Sequence, residues 1–135
     1  MRAAKNMLIL ILITIFALVP AGCESNTVSN LIISDRQYTQ TEELNNAKQP
    51  EQLVAGKDIY ASVNFIESPK GMEYTAKWFI NGNEIKTDTQ EMPTDRKAVI
   101  VFSLEKDKVT AGTLKFEVSY KGEILASREL VITGE

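Results

Sequence analysis

Between positions 74 and 80 apolar side chains fall on every second residue: Tyr74, Ala76, Trp78 and Ile80 alternate with Thr75, Lys77 and Phe79. A period of two puts the two sets on opposite faces of an extended strand. Asn81-Gly82 follows directly, and this dipeptide accepts the positive φ values of a tight type I′ hairpin. With those two residues as the loop, Trp78 lies opposite Ile85 and both face one side, so register and hydrophobic pattern agree. Such a chain is committed to sheets that bury one face.

The same rhythm recurs along the chain. Ile59, Ala61, Val63 and Phe65 alternate with Tyr60, Ser62 and Asn64; Ala98, Ile100, Phe102 and Leu104 with Val99, Val101 and Ser103; Leu114, Phe116, Val118 and Tyr120 with Lys115, Glu117 and Ser119. Leu31-Ile32-Ile33 sits in a first strand that is expected to end near Tyr38. Turn residues at Ser68-Pro69-Lys70-Gly71, Met92-Pro93-Thr94-Asp95 and Thr110-Ala111-Gly112 separate the runs. The return strand from Ile124 to Thr133 has its apolar set at Ile124, Ala126, Leu130 and Ile132. A two-residue loop at Lys121-Gly122 sets Leu125 against Val118 and turns that set outward. A three-residue loop, Tyr120-Lys121-Gly122 with Gly122 left-handed, pairs Val118 with Ile124 and Phe116 with Ala126, and this longer loop is the expectation. Thr41 to Ala47 has the makings of one helical turn but no second apolar face, so it is expected as loop, and Pro50 bars a continuous central strand there. About seven short antiparallel strands with no long amphipathic helix predict an all-β, immunoglobulin-like β-sandwich with Trp78 buried on a middle strand.

The N-terminus is of another kind. Arg2 and Lys5 precede an apolar run from Met7 to Val19 broken only by Thr14, and Pro20-Ala21-Gly22-Cys23 follows. The run is shorter than the roughly 20 residues that span a bilayer core. A basic start, an apolar stretch of this length and small residues at its end make a secretory signal. The chain's single cysteine stands directly after Ala21-Gly22, which resembles the lipobox of bacterial lipoprotein precursors; Pro20 departs from the leucine usual in that family. The resemblance implies cleavage before Cys23, with Ala21 and Gly22 as the preceding small residues and a diacylglycerol on the Cys23 sulfur. The protein is then held at the extracytoplasmic face of the cell membrane by two or three acyl chains, enough for stable anchoring. Ordinary signal cleavage near Val19-Pro20-Ala21, releasing a free thiol, is the other reading.

On the lipoprotein reading, residues 1–22 are the signal peptide, 23–29 a flexible tether and 30–135 the domain. Removing 22 of 135 residues leaves 113. Arg2 and Lys5 leave too, so 13 basic residues face 18 acidic ones. The basic residues are scattered singly among carboxylates, which argues against a nucleic-acid partner. The chain has no histidine, so triads, Cys-His dyads and the usual zinc sites are excluded.

With these residues in view, the stretch from about Val28 to Ile132 resembles the immunoglobulin-like modules of bacterial and archaeal envelope lipoproteins. Ile59-Tyr60-Ala61-Ser62-Val63, Pro69-Lys70-Gly71, Ala76-Lys77-Trp78-Phe79 with Asn81-Gly82, and Gly112-Thr113-Leu114-Lys115-Phe116-Glu117 carry the likeness. Leu114 replaces the usual tyrosine, so no tyrosine corner forms there. The resemblance implies structural motifs and no catalytic residues.

Chemistry is correspondingly sparse. Glu42-Glu43, Asp88, Glu91 and Asp95 read as solvated turn carboxylates. Asn81, Asn83, Asp88 and Asp95 lack the alternating run of a calcium loop. No catalytic residue, cofactor or metal is expected. Phe79, Val99 and Val101 point away from the core on this pattern and form the candidate contact surface; the competing expectation has the segment from Thr39 to Lys57, or a strand edge, covering them. The expected function is that of a membrane-anchored, non-catalytic binding or interaction module for an envelope protein or polysaccharide. A structural accessory subunit of a larger envelope complex is the alternative, and a small hydrolase acting on envelope polysaccharide comes third.

Overall fold

The computed structural model describes residues 27–134. The segment expected to be a signal peptide, with Ala21, Gly22 and Cys23, lies outside the described residues. Eight strands form two sheets: β1 (Val28–Ser34), β2 (Gln52–Val54), β3 (Ile59–Ser68), β4 (Glu73–Ile80), β5 (Asn83–Glu91), β6 (Arg96–Leu104), β7 (Gly112–Tyr120) and β8 (Glu123–Thr133). One sheet has the order β1-β3-β6, the other β2-β8-β7-β4-β5. All pairings are antiparallel except β2 with β8. A helix, α1 (Thr41–Asn46), and a 3-10 turn at Lys106–Lys108 complete the elements.

The alternation places the core as expected. Ala61, Val63 and Phe65 from the three-stranded sheet meet Tyr74, Ala76 and Trp78 from the five-stranded one, all fully buried. An aromatic column crosses this core. Trp78 packs edge-on against Phe116 at 4.7 Å between ring centroids, and Phe116 lies 5.9 Å from Phe102 of the opposite sheet. Leu114 is buried core.

The two hairpins depart from the expected registers in the same way. Asn81-Gly82 is the two-residue loop, with φ of 51° and 83°. One residue beyond the Phe79–Glu84 pair, however, Ile85 is inserted as a bulge, and Trp78 pairs with Lys86 instead of Ile85. In the second hairpin the loop has two residues, Lys121 and Gly122 (φ 48° and 85°), with Tyr120 paired to Glu123. The three-residue loop expected there does not form. A bulge at Leu125 restores the hydrophobic pattern: Leu125 turns inward, Ile124 is left 38% exposed, and Val118 meets Ala126. An extra residue switches the parity of the return strand, so Leu130 and Ile132 still reach the core.

The ends and loops differ too. β1 begins at Val28, inside the stretch assigned to the tether, because Val28 packs on the core and pairs with Phe65. It stops at Ser34, short of Tyr38, because the Ser34 hydroxyl accepts from the Arg36 N–H and donates to the Arg36 carbonyl, turning the chain. The segment expected as loop forms α1, anchored by a fully buried Leu44. A single apolar residue suffices because the helix lies on a sheet. β2, unforeseen, buries Leu53 and pairs with β8 through Leu53 and Ile132.

Candidate contact surface

Each sheet has an outer face. That of the three-stranded sheet is largely roofed by residues 35–50. Tyr38 donates its backbone N–H to the Ser62 hydroxyl, the Thr41 hydroxyl donates to Asn64 Oδ1, and the Asn30 amide donates to the Leu44 carbonyl. Ser62, Asn64 and Ile32 are buried beneath this roof. Gln49 closes the β1 edge: its amide accepts from the Ile33 N–H at 2.8 Å and donates to the Ile33 carbonyl at 2.7 Å, as a neighbouring strand would.

The opposite flank, where β5 and β6 are the open edges of the two sheets, is bridged by side chains. Gln90 and Lys86 of β5 donate to the carbonyls of Val101 and Ser103 on β6. Lys86 also pairs with Glu105 at 2.8 Å, and this hydrogen bond holds the Glu105 carboxyl below the usual glutamate range. On β8, burial pushes the Arg128 guanidinium below its ordinary value.

The surface expected from the sequence is divided by this architecture. Phe79 lies on the outer face of the five-stranded sheet, half-buried, with Lys115 Nζ 4.6 Å from its ring centroid. Val99 and Val101 belong to the other sheet, opposite Asn64 and Ser62, and are half-buried. Side chains that leave opposite sheets point in opposite directions, so the three residues form no common patch. Around Phe79 the face is a mixed-charge ladder, in which Lys77 faces Glu84 at 3.8 Å and Lys115 faces Glu117 at 3.1 Å. This is a solvated surface.

Besides Ile124 near the β7–β8 hairpin, the exposed large apolar residues among those described lie at the β2 edge of that face. Val131 is 51% exposed and Val54 40%. Val131 pairs with Gln52, and Val54 with the adjacent Thr133. Inward-pointing Leu53 and Ile132 tie both strands to the core, which holds the two valines rigidly outward. Beside them opens a concavity of about 140 Å³ lined by Asp35, Pro50, Gln52, Val54 and Lys57. Sequence reading missed this site because β2 has three residues, too few for a period. The signal available was the apolar pair Leu53-Val54, three residues after Pro50. Among the described residues no group of three His, Cys, Asp or Glu side chains is placed to hold a metal ion.

Two sheets in this order, with a buried tryptophan on a middle strand and hairpin-linked edges, define an immunoglobulin-like β-sandwich. Solved structures agree. An immunoglobulin-like protein from Pseudomonas aeruginosa superposes with a TM-score of 0.51 at 13% identity, covering 83% of this chain and 98% of that one. A Niemann-Pick type C2 protein from the Japanese carpenter ant gives 0.50 at 12% identity, over 84% and 97%. At these identities the likeness is one of fold. No protein-family model matches the chain, and no curated protein matches it in sequence.

Proposed function

We propose that this chain is a non-catalytic binding or interaction module, tethered to the outer face of the cell membrane through lipid on Cys23, whose partner contact is the β2–β8 corner at Val54 and Val131. The observation that carries the contact is the pair of rigid, exposed valines beside the Asp35–Lys57 concavity. Apolar side chains without an exposed aromatic platform suit a protein partner better than a polysaccharide. The filled inter-sheet core favours recognition by the outer surface over an internal ligand cavity. The anchor rests on the lipobox-like Ala21-Gly22-Cys23 after the apolar run.

Membranes from cells making the native chain, or the double variant Val54→Asp/Val131→Asp, test the proposal. Both substitutions replace surface side chains, so thermal stability is expected to stay within about 1 kcal/mol of the parent. The native protein should carry acylated Cys23 by intact mass and bind a partner reversibly, and the double variant should lose that binding at least tenfold. Unacylated protein in the medium sinks the anchor. Unchanged binding by the variant sinks the contact surface. A stoichiometric partner that survives detergent indicates a fixed accessory subunit instead.

A further inference from the structure

If Cys23 is the anchored residue, as proposed above, the length of chain before β1 fixes which end of the sandwich meets the membrane. Five residue steps separate Cys23 from Val28. Fully extended they reach no more than about 18 Å. β3 alone, with ten residues, runs about 33 Å from one end of the sandwich to the other. Val28 pairs with Phe65 near the end of β3, and Ile66 donates its N–H to the Thr27 carbonyl. The tether is therefore fastened at the end formed by the β3–β4 turn, the β5–β6 loop and the β7–β8 hairpin.

We infer that this end rests against the phospholipid headgroups and that the β2–β8 corner, at the other end, is presented away from them. Two of the connections at the tethered end, the β3–β4 turn and the β5–β6 loop, are bonded to each other. Lys70 donates its backbone N–H to Asp95 Oδ1, and Gly71 to the Met92 carbonyl. A concavity of about 430 Å³ lies between the β3–β4 turn and the hairpin tip, lined by Gly71, Met72, Glu73, Thr75, Tyr120 and Lys121. Exposed Lys70, Arg96, Lys97 and Lys121 stand at this end, interspersed with exposed Glu67, Glu73, Glu91, Asp95 and Glu123. Long basic side chains and a half-buried tyrosine are groups that sit well at a headgroup layer, where the stems lie on apolar surface and the charges meet phosphate. Val54 and Lys57 stand at the far end, beside the start of β3.

The single cysteine is consumed by the lipid, so an introduced cysteine gives a unique label. The lipidated protein carrying Lys70→Cys, or Lys57→Cys, is labelled with a fluorophore and placed in vesicles of phosphatidylethanolamine and phosphatidylglycerol containing headgroup-spin-labelled lipid. Quenching at position 70 is expected to exceed that at position 57 by at least threefold. Equal quenching, or more at 57, on a protein whose mass shows acylated Cys23 overturns the orientation alone. An unacylated mass overturns the anchor and the orientation together.

Discussion

At the scale of single residues, Gly112 shows what the alternating pattern leaves unexplained. Its φ is +149°, and a Cβ built there stands 2.7 Å from Asn81 Oδ1. That oxygen accepts the Thr113 N–H, while Asn81 donates its own N–H to the Thr113 carbonyl. The glycine lets the tip of the β4–β5 hairpin clasp the start of β7. Gly82 has φ +83° with open space around it, so a side chain there meets backbone strain only. Gly82→Ala is expected to cost about 1 kcal/mol and Gly112→Ala about 3 kcal/mol, adding displacement of Asn81 to the strain. Denaturant midpoints at constant m-value measure both; equal losses would show that the clasp contributes nothing. Lys121 at φ 48° explains why the second hairpin was harder to read than the first. Lysine at that loop position gives no local sign of a type I′ turn, whereas Asn81 does.

Among the elements, the edges decide how the sandwich is finished. Gln49 supplies β1 with the hydrogen bonds of an absent strand. Gln49→Ala leaves the Ile33 N–H and carbonyl without that partner, and a loss of about 2 kcal/mol is expected, together with concentration-dependent association through the bared edge. Thermal melts over a range of protein concentrations check both effects. The β5–β6 flank responds to pH through Glu105. Its folded pKa is lowered chiefly by the hydrogen bond from Lys86, so its contribution is present above the carboxylate's unfolded pKa and is lost as pH falls through the lower folded value. Glu105 is exposed, which limits the contribution to the order of 0.5 kcal/mol. The stability difference between the parent and Lys86→Met should therefore narrow as the solution is acidified below the usual glutamate range. A difference that stays constant there would dissociate Glu105 from the effect. None of these edge contacts was legible beforehand, since Gln49 reaches Ile33 across 16 positions and Gln90 reaches Val101 across 11.

For the whole molecule, the inward strand positions of β3, β4, β6 and β7 were readable because a buried face imposes a period of two on the chain itself. Trp78, Phe102 and Phe116 were placed in the core by that rule, and the structure buries all three completely. The outward positions carried no comparable rule. Phe79 and the Val99–Val101 pair look alike in sequence, yet they leave through different sheets, one beneath Lys115 and the other on the face where residues 35–50 build their roof. Val54 and Val131 lie 77 positions apart in number and become neighbours through a parallel pairing. By itself, then, the sequence determined the fold class, most core residues and the Asn81-Gly82 turn, because each depends on local geometry or on a repeating pattern. Sheet partnership, the parity-restoring bulges at Ile85 and Leu125, and the exposed corner were decided only in the tertiary structure, because each depends on which distant segment lies alongside.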